Sequence, residues 1–225
     1  MSALEIVLIS VLGGLIVLAV FYLLVFHTNK QNRLELFEVV NVNAIHGEIV
    51  FFGDSLTDFY PMQDFFPDHV VYNRGIAGDT TTDLLKRLKN VAVIKPKKVF
   101  LQIGTNDLGK GKTPAQVVEN IQKIVFELKA DIPDVQLYII SLYPVSHHKI
   151  WLSPIITGIR TNKKIIRTNS LLKQLCEQYQ IPYIDIHSHL KDKKGRLEKE
   201  YTLEGLHISG KGYAVISKIL NEFVE

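Results

Sequence analysis

The sequence predicts an α/β protein with a parallel sheet covered by helices on both faces. Apolar runs with β-branched and aromatic residues recur from residue 48 onward, and they alternate with segments of helical periodicity. Such alternation is typical of parallel sheets, because each crossover must return the chain in the same direction. The 225 residues, 47% of them hydrophobic, fit one globular domain of this kind.

Five strands are predicted, and each is a short apolar run. They lie at 49–52, 70–72, 99–103, 137–140 and 183–186. Four longer helices are predicted from apolar stripes and capping signals, at 81–90, 114–128, 161–180 and 209–223. An apolar insertion at 147–156 precedes the third of them. It is interpreted either as a lid or acyl-chain wall, or as a loop packed on its own domain.

The N-terminus has a different composition from the rest of the chain. No charged residue occurs at 6–26, and a helix of that length can cross the hydrocarbon core of a bilayer. This predicts an uncleaved membrane anchor. A cleaved signal peptide is the alternative, but no Lys or Arg precedes the run and no small-residue cleavage site follows it. Lys30 and Arg33 favour a cytoplasmic position for the domain that follows.

The predicted organisation has three parts. Residues 1–30 form the membrane anchor, residues 31–47 a connector helix, and residues 48–225 the α/β domain. The net charge of +3 is too small and too dispersed to indicate nucleic acid as a partner. The single cysteine, Cys176, cannot form an internal disulfide and is predicted to lie in the core.

The most informative stretch is Gly53-Asp54-Ser55, directly after the first strand. A sharp turn from strand to helix places a hydroxyl at the carboxyl edge of the sheet, where open α/β sheets bind their ligands. Such a serine becomes a nucleophile only if a base takes its proton and amide donors hold the resulting oxyanion. Ser55 is therefore a candidate nucleophile.

Later strand ends supply candidates for the other groups. Gly75 follows the second strand, and its N–H can approach a substrate oxygen because it has no Cβ. Asn106 follows the third strand and can donate an amide hydrogen bond, whereas Asp107 is expected to hold the loop. Glu204 lies three residues before His207, so the carboxylate can hold Nδ1–H and leave Nε2 for a serine.

These blocks resemble, in order and spacing, those of the SGNH (GDSL) hydrolase superfamily. The segment from Gly75 to Asn106 is especially similar to the catalytic subunits of intracellular platelet-activating-factor acetylhydrolase and to bacterial lysophospholipase-like esterases. The resemblance covers 48–225. It implies a flavodoxin-like three-layer α/β/α sandwich around a five-stranded parallel sheet, and no metal or organic cofactor.

The resemblance also implies roles for individual residues. Ser55 would be the nucleophile and His207 the general base and acid, with Glu204 as the third member of the triad. The N–H groups of Ser55 and Gly75 and the side chain of Asn106 would form the oxyanion hole. Asp54 and Asp107 would support the site.

Glu204 departs from the family pattern, which has the shorter Asp at this position. A displacement of about 1 Å can cost about 100-fold in rate. Asp185, at the end of the fifth strand, is a rival carboxylate, and some members use a backbone carbonyl instead.

Two other motifs carry weaker signals. The run from Gly104 to Gly111 nearly forms a phosphate-binding loop, but Gly111 stands where Ser or Thr must contact magnesium. His187 and His189 have the spacing of metal ligands beside Asp185, although a surface loop explains them better.

The sequence therefore predicts a membrane-anchored serine esterase that removes a short acyl group, such as acetyl, from a lipid or carbohydrate ester. The predicted partners are the ester substrate and the membrane, and a homodimer is left open. The alternative function is a non-catalytic binding or scaffold protein with a weakened triad.

Overall fold

The N-terminal part of the chain is one long helix. The computed structural model describes residues 2–225, apart from the side chains at 3, 4, 19, 22, 23 and 26. The chain divides into two compact units, Met1–Asn43 and Ala44–Glu225. The first unit contains α1 (Ala3–Asn41), which Ser2 and Glu5 open with a reciprocal capping box. The predicted connector therefore continues the helix that begins in the predicted anchor.

The membrane prediction is corrected by this structure. Among the described residues, no helix combines the length and the apolar character that crossing a bilayer requires. The part of the apolar run that falls on the side chains at 19, 22, 23 and 26 lies outside the described residues. The prediction of an anchor at 1–30, and with it a membrane location facing the cytoplasm, is therefore wrong for the described chain.

The second unit is built on a five-stranded, fully parallel sheet, as predicted. Its strands are β1 (Ile49–Gly53), β2 (Val71–Gly75), β3 (Lys98–Gln102), β4 (Gln136–Ile140) and β5 (Tyr183–Ile184). They lie in the order β2-β1-β3-β4-β5. In a doubly wound sheet of this order the chain turns to opposite sides at β1 and β3, and that switch point opens a crevice at the carboxyl edge.

Helices cover both faces of the sheet. They are α2 (Ser55–Asp58), α3 (Met62–Phe65), α4 (Thr81–Lys86), α5 (Lys89–Ala92), α6 (Thr105–Gly109), α7 (Pro114–Asp131), α8 (Ser153–Thr157), α9 (Asn162–Gln178), α10 (His187–Leu190) and α11 (Gly210–Val224), with a 3₁₀ turn at Lys199–Tyr201. Alternate side chains of β1 enter two separate cores. Val50 and Phe52 pack with α4, α5, α7 and α9, whereas Ile49 and Phe51 pack with α10 and α11.

Two elements differ from the prediction for identifiable reasons. The predicted helix 81–90 is divided into α4 and α5 at Arg87, whose guanidinium turns inward to Asp79 (2.7 Å) and to the Gly53 carbonyl (2.9 Å). The fifth strand ends two residues early, because the Ser141 hydroxyl accepts the N–H groups of residues 186 and 187. Cys176 lies in the core, as predicted.

Candidate active site

Ser55 lies where the sharp turn was predicted, as the first residue of α2. The turn needs glycine at position 53, because a Cβ there would collide with the Thr57 side chain and the Gln102 carbonyl. Asp54 caps α2 by accepting the Leu56 N–H at 3.0 Å. The N–H of Ser55 donates to no acceptor within the described residues, so it is free for a ligand.

His207 approaches Ser55 from the far end of the chain. Its Nε2 lies 3.1 Å from the Ser55 Oγ, and its Nδ1 lies 2.5 Å from Glu204 Oε1. The same carboxylate oxygen accepts the backbone N–H of His207 at 3.1 Å. Because an ionised carboxylate only accepts, Nδ1 carries the hydrogen and Nε2 presents its lone pair to the serine.

The turn that carries His207 is tightly constrained. Gly205 has a φ of +108°, and a Cβ there would collide with the Ser146 carbonyl. Thr202 accepts the Gly205 N–H and donates to the His207 carbonyl, at 2.8 and 2.7 Å. These bonds close a compact loop in which Glu204 reaches the imidazole despite its extra methylene.

Glu204 stays ionised beside the imidazole. Burial raises its pKa, but the hydrogen bonds and the charge of His207 outweigh burial and leave that pKa below its ordinary value. The rival carboxylate, Asp185, instead accepts the Ser188 N–H at 3.1 Å, which is a strand-end turn contact. The structure therefore brings Glu204 to His207 and gives Asp185 a separate local role.

Asn106 contacts the serine turn at Asp54, and both ends of its amide are held. Its Nδ2 donates to the Asp79 carbonyl at 3.0 Å and has a long contact of 3.4 Å with Asp54 Oδ2. Its Oδ1 accepts a hydrogen bond of 2.8 Å from Arg160, a residue that carried no signal in the sequence. One amide hydrogen is therefore only weakly engaged and points toward the serine turn.

Gly75 does not fit the role predicted for it. Its N–H donates to Asn73 Oδ1 at 2.9 Å, and its Cα packs so closely on the backbone of α2 that a Cβ would collide with Asp58. Gly78, three residues later, has a φ of +81°, and its N–H makes no hydrogen bond to any described residue. It immediately precedes the Asp79 carbonyl that holds Asn106. The candidate donor is thus Gly78, and Gly75 is a packing residue.

The two supporting aspartates have different environments. Burial raises the pKa of Asp54 to about 7, although the Leu56 N–H and the charge of His207 act in the opposite direction. Asp107 is fully buried and pairs with Lys112 at 2.8 Å. It also accepts the N–H and the hydroxyl of Thr81, at 2.9 and 2.6 Å, and so ties α6 to the start of α4.

The rim of the site is partly apolar. The Phe59 ring, half exposed, lies 5.3 Å from the imidazole of His207 between ring centres. The insertion at 147–156 forms a turn and the start of α8, in which Ser153 is buried while Trp151 and Ile155 are exposed. No cluster of three metal-ligand side chains occurs in the described part of the chain, His187 and His189 included.

A parallel α/β sheet with a serine, a histidine and a carboxylate in contact at its carboxyl edge is typical of hydrolases. Residues 51–215 match the model of the GDSL-like Lipase/Acylhydrolase family. The chain therefore belongs to this family, the SGNH hydrolases.

Relatives within this family include mammalian acetylhydrolases. The chain is 29% identical over 188 residues to platelet-activating factor acetylhydrolase IB subunit alpha2 of Rattus norvegicus. The matched region covers 79% of this chain and 76% of the relative. The alpha1 subunit of Pongo abelii is 29% identical over 185 residues, with 79% and 75% covered.

Solved structures agree with this assignment. A protein of Streptococcus pneumonia described as a platelet activating factor superposes with a TM-score of 0.83 at 30% identity, covering 93% of this chain and 99% of its own. A GDSL-like lipase of Bacteroides thetaiotaomicron shares the fold, with a TM-score of 0.74 at 21% identity over 85% of this chain and 96% of its own.

Proposed function

We propose that this chain is a serine esterase that removes a short acyl group from an alcohol through an acyl-enzyme intermediate. The observation that carries the proposal is the contact of 3.1 Å between Ser55 Oγ and His207 Nε2, with Glu204 on the opposite nitrogen. The two partners are 152 residues apart in the chain, so this contact exists only in the folded state.

The reaction follows from the direction of these hydrogen bonds. Ser55 Oγ attacks the ester carbonyl carbon while His207 Nε2 takes the hydroxyl proton. The imidazolium gives that proton to the alcohol oxygen as the C–O bond breaks, which leaves the acyl group on Ser55. Water then repeats the sequence and releases the acid. Glu204 keeps the imidazole in one tautomer and stabilises its positive charge.

The negative oxygen of each tetrahedral intermediate needs fixed donors. The N–H groups of Ser55 and Gly78 and the weakly engaged Nδ2–H of Asn106 supply them. A substrate oxygen replaces the long contact between Asn106 and Asp54. Such donors stabilise the transition state because they are already oriented when charge develops.

The acyl group is short, such as acetyl, and the alcohol belongs to a lipid or a carbohydrate. Similarity to proteins named acetylhydrolases supports the first part of this proposal. The exposed ring of Phe59 beside His207 supports an apolar portion in the substrate.

Hydrolysis by the full chain tests the function. We expect turnover of p-nitrophenyl acetate to exceed that of the decanoate ester, and Ser55→Ala to abolish it. Ser170→Ala, an exposed serine on α9, is the matched control and should keep full activity. If the unmodified chain turns over neither ester, the protein is a binding or scaffold protein on this fold and the esterase proposal is rejected.

A further inference from the structure

We propose that Arg160 is a positioning residue for the oxyanion site, because its guanidinium fixes the Asn106 amide with the N–H side toward the substrate oxygen. This inference rests on the esterase function proposed above. It concerns a residue in the loop between α8 and α9, 54 positions away from its partner in the sequence.

The chemistry of the contact determines the amide orientation. Arg160 Nη2 lies 2.8 Å from the Asn106 side chain, and a guanidinium can only donate. The atom that faces it must therefore be the amide oxygen. The amide nitrogen then points to the opposite side, where the Asp79 carbonyl and Asp54 lie. Without Arg160, rotation of the amide by 180° would bring an acceptor to the oxyanion site and remove one donor.

The guanidinium itself is held in place from several sides. Its Nε donates to the Thr105 carbonyl at 3.0 Å, and its Nη1 donates to the Thr157 carbonyl at 3.1 Å. Gly109 lies against it, and a Cβ there would collide with the guanidinium carbon. The backbone carbonyl of Arg160 contacts His147 Nε2 at 3.1 Å, which fixes the loop as well as the side chain.

The charge of Arg160 also acts on the strength of the donor. A cation at the oxygen end of an amide draws electron density from its nitrogen, so the N–H becomes a better donor. Burial lowers the pKa of Arg160 and the charge of Asp54 raises it, but an arginine remains charged at neutral pH. The stronger donor matters most when the substrate oxygen becomes negative. The effect should therefore appear in kcat rather than in KM.

Steady-state kinetics of four variants test the proposal. Asn106→Ala removes a whole oxyanion donor and should lower kcat by about 100- to 1,000-fold. Arg160→Met leaves the amide in place, so its loss should be no larger, about 10- to 100-fold. The value of KM should change by less than about threefold. Arg160→Lys should restore only part of the loss, because an ammonium cannot reproduce the planar fork of donors. Adding Arg160→Met to Asn106→Ala should not lower kcat any further, because Arg160 acts only through the Asn106 amide.

Arg167→Met is the matched control, because it makes the same substitution at an exposed arginine on α9. The Arg167 side chain has no hydrogen bond with Asn106 among the described residues. We expect this variant to keep kcat within about twofold. The positioning role would be overturned if Arg160→Met lowered kcat equally in the unmodified chain and in Asn106→Ala. It would also be overturned if Arg160→Met left kcat unchanged.

A spectroscopic measurement separates this proposal from the esterase function. In protein labelled with ¹⁵N at asparagine, the side-chain NH₂ signal of Asn106 is identified by its loss in Asn106→Asp. Arg160→Met should shift and broaden that signal while the other asparagine signals stay in place. An unchanged Asn106 signal rejects the role of Arg160 whether or not the chain hydrolyses esters. A changed signal in a chain without turnover rejects only the esterase function.

Discussion

Replacement of Asp54 by asparagine should change how the stability of the protein depends on pH. Asp54 is fully buried at the end of β1, and burial raises its pKa from 3.8 to about 7. In the unfolded chain the group titrates near its ordinary value. Between these two values the native state holds a proton that the unfolded state has lost, so the stability contributed by Asp54 falls as pH rises.

The magnitude follows from the size of the shift. A difference of about three pKa units corresponds to about 4 kcal/mol between the low-pH and high-pH limits. The free energy of unfolding of the unmodified chain, relative to Asp54→Asn, should fall by about 1.4 kcal/mol per pH unit from about pH 4 to pH 7. Above about pH 7 the difference should level off, because the native carboxyl then ionises as well.

Urea unfolding of both chains at a series of pH values measures this difference. In the Asp54→Asn variant the side-chain oxygen can still accept the Leu56 N–H, while the new amide group faces Asn106 and adds a cost that does not vary with pH. Subtracting the two curves cancels the titration of the groups that do not interact with Asp54. If the difference in unfolding free energy between the two chains does not vary between pH 4.5 and pH 8, the raised pKa of Asp54 is refuted.

Further predictions concern the site and its supports. Glu204→Asp should lower kcat for p-nitrophenyl acetate about 100-fold, because the carboxylate withdraws from the 2.5 Å contact with His207; an unchanged kcat would contradict the direct contact. Gly205→Ala should lower the urea midpoint by the equivalent of at least about 2 kcal/mol, because φ is +108° and the Cβ collides with a carbonyl. Arg87→Met should destabilise by about 3–5 kcal/mol in the same assay, because Asp79 stays buried without its 2.7 Å partner; a change below about 1 kcal/mol would count against the pair.

Much of the fold could be predicted from the sequence, because the apolar runs have strong local patterns. Each of the five predicted strands is present, since a strand buried on both faces needs a continuous apolar run. The carboxyl ends of parallel strands share one edge, so Ser55 and Asn106 could be expected to lie close together. The spacing of Glu204 and His207 made this turn a candidate, and the order of the other blocks supported it.

The features that the sequence did not predict depend on long-range contacts. Gly75 and Gly78 are equivalent as glycines in the sequence, and only their surroundings in the folded chain distinguish them. The Gly75 N–H donates to Asn73 and its Cα packs on α2, whereas Gly78 has a positive φ. Arg160 lies in an irregular loop without periodicity, so nothing local links it to Asn106. The break at Arg87 likewise comes from partners distant in the chain, which overrode the helical pattern of 81–90.

The separation of Ser55 and His207 along the chain has a consequence during synthesis. A nascent polypeptide displays its hydroxyl group long before the ribosome has produced the imidazole that must meet it. Because α11 follows His207 and contributes side chains to one of the two cores, that core is complete only after the final helix docks. Translation intermediates and fragments truncated at the C-terminus should therefore not hydrolyse esters. Activity should appear only after the complete chain has folded.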